Sequence, residues 1–230
     1  MVARQRQDKR MSQLLELAAT AKIQIERVDS SQLDRASEGV RHQGVIAVVA
    51  REKQKGDAVL TAFIESLDAE DKAPFFLILD QIQDPHNLGA CLRTAEGAGV
   101  DAVVLPRDGA VPVNDTVRRV AAGAADRMPV FYVTNLGRVL EKLKNMGLWT
   151  TGTANEANCS LYQLDFTGPA AIVMGAEGKG LRRLTRQHCD QLVSIPMAGD
   201  VSSLNVSVAT GIILYEVVRQ RSDLARCPGE

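Results

Sequence analysis

From Phe75 onward the chain alternates short apolar runs with segments of helical period, and this regularity leaves few folds open to it. Phe75–Asp80 reads as a strand, Asn87–Ala98 as a helix closed by Gly99, and Ala102–Leu105 as the next strand. Asp115–Ala122 follows as a helix, Val130–Val133 as a strand and Leu136–Met146 as a helix ended by Gly147. Leu148–Thr151 and Ala170–Met174 read as strands, Leu181–Cys189 as a helix, Leu192–Ile195 as a strand and Asn205–Arg221 as the last helix. Continuous apolar strands separated by helices predict an open parallel sheet covered on both faces. In such a sheet ligands sit beyond the carboxyl ends of the strands, so the strand-to-helix loops are where chemistry is to be sought.

The region before Phe75 is less regular. Met11–Ala21 reads as a short helix and Ile23–Val28 as a strand. Val45–Val49 reads as a second, more buried strand, and the polar stretch Ser30–Gly44, which contains His42, joins the two. So few elements predict a small or incomplete domain over residues 1–67. The charged and small residues between Glu65 and Lys72, just before Pro74, predict a linker at 68–73 and a second domain over 74–230. Arg4, Arg6, Lys9 and Arg10 make the start of the chain basic, but the formal net charge of the 230 residues is -1, so any nucleic-acid surface must be local. An aromatic content of 4% argues against recognition by rows of stacked rings. Cys91, Cys159, Cys189 and Cys227 form no C-x-x-C pair and no zinc spacing with the histidines, which predicts reduced thiols in a cytoplasmic protein and no metal. The absence of a long apolar run leads to the expectation of neither export nor membrane insertion.

Three strand-to-helix loops stand out. The first runs from Asp80 through Asp84-Pro85-His86-Asn87-Leu88-Gly89 to Arg93-Thr94-Ala95. Taken alone, Asn87 reads as the helix N-cap, Arg93 as the partner of Glu96, and His86 as an ordinary loop histidine. The second, Met174-Gly175-Ala176-Glu177-Gly178-Lys179-Gly180, is neither a dinucleotide fingerprint nor a P-loop. Its Glu177 would repel a phosphate and suits a cationic or hydrogen-bond-donating ligand. Lys179, Arg182, Arg183 and Arg186 follow as the densest basic cluster of this half, either a solvated face or a contact for a phosphodiester backbone. The third loop, Ile195-Pro196-Met197 to Ser203-Leu204-Asn205, opens an apolar helix that Ser203 and Asn205 are suited to cap.

Together, the N-L-G-x-x-x-R-T-A, M-G-A-E-G-x-G and I-P-M-x-G-x-V-x-S-L-N-V-S-V-A segments resemble, in order and spacing, those of the SpoU/TrmH group of SPOUT RNA 2'-O-ribose methyltransferases. The resemblance covers about Pro74 to Arg221, continues more weakly through His42–Ala47, and is nearest the members that act on a guanosine of large-subunit (23S) ribosomal RNA. It implies an α/β fold: a SPOUT-type open parallel sheet with a C-terminal trefoil knot, preceded by a small RNA-binding domain of the L30e ribosomal-protein type. The family's G-x-H-x-V-x-x-x-L segment does not precede Arg4, so that domain is expected to be shortened. The resemblance further implies S-adenosylmethionine as methyl donor and ribosomal RNA as partner, in a homodimer.

Carried over residue by residue, the cofactor positions are Met174, Gly175, Gly180, Ile195, Met197, Ser203 and Leu204. The catalytic positions are Arg93, Asn87, Glu177, Ser203 and Asn205, and Lys179, Arg182 and Arg183 are expected to meet RNA. A transfer-RNA ribose methyltransferase of the same group, or a non-catalytic assembly factor on this fold, is the competing reading; a nucleotide-dependent dehydrogenase is disfavoured by the missing fingerprint.

Overall fold

The computed structural model describes residues 1–49, 54–67 and 72–226, with backbone only for 223–226. Two compact units are present, Met1–Lys53 and Gln54–Glu230. The first contains β1 (Val2–Ala3), α1 (Lys9–Thr20), β2 (Arg27–Val28) and α2 (Ser30–Ala36). β1 and β2 pair in parallel, and Val45 adds an antiparallel bridge to Val2. Val2, Met11, Ala18, Val28 and Leu33 are its buried apolar residues.

The expected strands here are largely absent. Only Arg27 and Val28 of Ile23–Val28 are extended into a ladder, and Ile23 is exposed. Of Val45–Val49, Val45 bridges Val2 and Ile46 exchanges hydrogen bonds with Met1, but no strand extends further, and Val48 is 89% exposed. Conversely the polar stretch 30–44 holds α2, started by the reciprocal capping box of Asp29 and Gln32.

The second unit begins with α3 (Asp57–Glu65), which the sequence reading assigned to the preceding domain. Leu60 and Ile64 bury against Phe76 and Phe131, and Phe63 packs edge-on to Phe76 with ring centroids 6.3 Å apart. The division therefore falls between Lys53 and Gln54, upstream of the expected linker at 68–73, of which 68–71 lie outside the described residues.

The remaining elements are β3 (Phe75–Leu79), α4 (Pro85–Gly97), β4 (Ala102–Pro106), α5 (Asp115–Ala121), α6 (Ala124–Arg127), β5 (Val130–Val133) and α7 (Leu136–Asn145). Then come β6 (Trp149–Thr153), β7 (Cys159–Ser160), β8 (Ala170–Met174), α8 (Arg183–His188), β9 (Gln191–Ser194) and α9 (Val206–Arg226). Seven strands form one all-parallel sheet in the order β5-β4-β3-β8-β6-β9-β7. Each face has its own core. Phe75, Leu77 and Leu79 face α4, α5 and α9, while Phe76 and Ile78 face α3 and α7. All five residues of β3 are buried, which is why its sequence is apolar without alternation. Among the described residues no helix is long and apolar enough to cross a membrane.

Candidate active site

Parallel strands deliver their following loops to one pole of the sheet. At that pole a cavity of about 300 Å³ opens, within the range of small-ligand sites. Met174, Gly175, Gly180, Ile195, Met197, Ser203 and Leu204 all line it, as does Glu177. A wall that the sequence reading missed comes from the turn after β6, with Thr153, Ala154, Asn155 and Glu156. That strand runs two residues beyond its expected end at Thr151, and only the strand order shows that it lies between β8 and β9. The Asn155 amide donates to the Ser202 carbonyl at 3.0 Å and so ties this turn to the third loop.

The glycine-rich loop closes on itself. Ala176 and Gly180 exchange backbone hydrogen bonds of 2.8 and 3.1 Å. A Cβ on Gly175 would lie 2.2 Å from the Gly180 carbonyl carbon, so only glycine allows this fold-back. Gly178 and Gly180 hold the positive φ values, 75° and 65°, that turn the chain around.

Asn87 is not the cap of α4. Asp84 caps it, accepting from the His86 N–H at 2.9 Å, with Pro85 in the first turn. This frees the Asn87 side chain for another cluster. Asn205 Nδ2 donates to Asn87 Oδ1 at 3.0 Å and to Glu177 Oε2 at 3.2 Å, and Asn87 Nδ2 points to the same carboxylate oxygen at 3.5 Å. The other end of the Asn205 amide caps α9, accepting from the Ser207 N–H at 2.9 Å and from its hydroxyl at 2.6 Å. Asn205, rather than Ser203, therefore starts α9. One residue from each of the three loops thus meets at the edge of the cavity.

Arg93 is not in contact with that cluster. It lies six residues along α4 from Asn87, about 9 Å along the axis and about 120° around it. Its side chain is exposed and has no hydrogen-bond or ion-pair partner among the described residues; Glu96 pairs instead with Arg127 at 2.8 Å.

The basic cluster is divided. Lys179 and Arg183 are exposed, and Lys179 borders the cavity. Arg186 is engaged by Glu156. Arg182 is tied at one nitrogen: its Nε donates to the fully buried Asp80 at Oδ1, 2.7 Å away, while 42% of its side chain stays exposed. Burial pushes the Cys189 thiol up to about 12 and the Cys91 thiol up to about 11, so neither is a nucleophile at neutral pH. Among the described residues no group of three potential metal ligands occurs.

Residues 74–215 match the SpoU rRNA Methylase family, and residues 1–55 match the RNA 2'-O ribose methyltransferase substrate binding family. The chain is 54% identical to a Pseudomonas aeruginosa protein named 23S rRNA (guanosine-2'-O-)-methyltransferase RlmB, over 97% of this chain and 88% of that one. It is 52% identical to the Escherichia coli protein of the same name, over 94% and 88%. Among solved structures it is similar to the SpoU methyltransferase AviRb from Streptomyces viridochromogenes in complex with the cofactor AdoMet. The TM-score there is 0.78 at 27% identity, covering 96% of this chain and 82% of that one.

Proposed function

The chain belongs to the SpoU rRNA methylase family, and on that premise we propose that it methylates the ribose 2'-OH of a guanosine in 23S ribosomal RNA, using S-adenosylmethionine. The observation that carries this reading is the meeting of Asn87, Glu177 and Asn205 at the rim of a glycine-walled cavity.

The cavity suits the donor. Met174, Val193, Ile195 and Leu204 offer apolar surface for a purine ring and a methylthio group, and the folded-back glycine loop presents main-chain groups with no side chains in the way. The Glu177 carboxylate at the rim favours a cation such as a sulfonium. When bound, S-adenosylmethionine supplies a methyl group made electrophilic by that positive sulfur.

The work left to the chain is to make a poor nucleophile attack. Asn205 fixes the Asn87 amide and the Glu177 carboxylate, so that their remaining hydrogen-bonding positions are set before the ribose arrives. Preorganised polar groups of this kind need no rearrangement as charge develops. A guanidinium is a poor proton acceptor, so the role read for Arg93 is electrostatic rather than that of the base. In this reading its uncommitted charge grips the phosphate next to the target ribose and stabilises the developing alkoxide. The hydroxyl proton passes to water or to a phosphate oxygen. Ser203 lines the cavity and is read as facing the reacting ribose, and Lys179 and Arg183 as meeting the RNA backbone.

The unit over Met1–Lys53 holds the substrate, a role supported by the family match of residues 1–55. A homodimer acting in the cytoplasm completes the reading. Exposed Val208 and Tyr215 on α9, each 52% accessible, support a partner on that helix. The trefoil knot that the family resemblance implies belongs to the same reading. The test is to map ribose methylation in 23S rRNA and in tRNA from a strain lacking the gene. Loss of one guanosine 2'-O-methyl group in 23S rRNA, restored by the gene, is expected. A loss confined to tRNA would favour the transfer-RNA reading.

A further inference from the structure

Asp80 belongs to none of the residues discussed as catalytic, yet it is a fully buried carboxylate at the end of β3. Its backbone N–H donates to the Met174 carbonyl at 2.8 Å, which carries the β3–β8 ladder one step past the Leu79–Met174 pair. Its side chain then reaches over the end of β8. Oδ2 accepts from the Arg182 backbone N–H at 3.1 Å and Oδ1 from the Arg182 guanidinium at 2.7 Å. The next residue, Gln81, has φ 65°, a left-handed conformation that a non-glycine residue adopts only where its surroundings impose it. Asp80 is therefore held from both sides.

What it holds is the foot of the glycine loop. That loop leaves β8 at Met174, closes through the Ala176–Gly180 hydrogen bonds, and returns at Leu181 and Arg182. The fold-back at Gly175 leaves no free space against Gly180 and Leu181, so a shift at Arg182 moves the cavity wall. A buried carboxylate needs both a countercharge and hydrogen bonds, and Arg182 supplies both.

We propose that Asp80 is a positioning residue for cofactor binding: through Arg182 it sets the glycine loop in its ligand-receiving shape. The proposal rests on the S-adenosylmethionine reading of the cavity. Asp80→Asn keeps the size of the side chain and an acceptor for the Arg182 N–H but removes the charge that clamps the guanidinium. Arg182→Lys keeps a countercharge while losing the planar guanidinium.

The experiment is calorimetric titration of S-adenosylhomocysteine into the wild type, each single variant and the double variant, well below their melting temperatures, with KM for S-adenosylmethionine and kcat measured on unmodified 23S rRNA. About a tenfold weaker affinity and a matching rise in KM are expected for Asp80→Asn, with kcat at saturating cofactor within about threefold of wild type. Arg182→Lys weakens binding in the same sense, and the double variant is no worse than the weaker single one, because both changes break one interaction.

Cofactor affinity of Asp80→Asn within twofold of wild type, a fall in kcat with KM unchanged, or additive losses in the double variant would each overturn the proposal. If Asp80→Asn does not fold, the same tests on Arg182→Lys decide it. If the wild type itself gives no binding heat, the cofactor reading fails rather than the role of Asp80.

Discussion

Asn205 shows how one side chain joins fold to chemistry. Its amide oxygen starts α9 through Ser207, and its amide nitrogen fixes Asn87 and Glu177. The Ser-Leu-Asn run made a cap legible in the sequence, but not which of Ser203 and Asn205 serves, because capping depends on a single position relative to the first helical turn. The Asp-Pro pair before His86 carried the signal for the true cap of α4, and reading Asn87 as that cap hid why it is free. Arg93→Ala is expected to retain cofactor affinity within about twofold while losing two to three decades in methyl transfer, the cost of removing one preorganised charge. Calorimetry beside single-turnover assays checks this; affinity lost in step with activity would remove Arg93 from the reaction. Lys179→Ala and Arg183→Ala are each expected to weaken RNA binding and to lower the slope of log K against log salt by about 0.7 to 1. Filter binding over a salt series gives that slope.

At the scale of elements, strand–helix alternation made the sheet readable from Phe75 onward, because buried parallel strands are apolar throughout. Strand order was not readable, since nothing in the Trp149–Thr153 sequence says that β6 lies between β8 and β9. The glycine of the N-L-G segment turns out to serve packing. A Cβ on Gly89 would lie 2.7 Å from the Val120 Cβ and 2.9 Å from the Val117 carbonyl oxygen, where α4 and α5 touch. Gly89→Ala is expected to cost about 1–3 kcal/mol and to lower Tm by several degrees, a shift readable by calorimetry.

On α9, the Arg219 guanidinium beside the nearly buried Glu216 holds its carboxyl below the ordinary value of 4.5. The stability this adds is fully present above that ordinary value and is lost as pH falls through the lower folded-state value. Glu216→Gln should therefore flatten the fall of Tm below about pH 5. Melting curves of both proteins from neutral to acid pH check this, and parallel acid limbs would exclude it.

The whole molecule has two units: one matches the RNA 2'-O ribose methyltransferase substrate binding family, and the other carries the cavity. The contact boundary lies upstream of the expected linker: the charged stretch after Glu65 is conspicuous in the sequence, whereas the burial of Leu60 and Ile64 against Phe76 and Phe131 is a tertiary fact. If α9 carries the dimer contact, Tyr215→Glu places a charge on that face and should shift sedimentation from dimer to monomer. The decisive measurement is tritium transfer from labelled S-adenosylmethionine to unmodified 23S rRNA, followed by mapping of the labelled nucleotide. Label is expected on the 2'-oxygen of one guanosine, lowered by about two to three decades in Arg93→Ala. Label on a base, on tRNA alone, or on no RNA would contradict the proposed function.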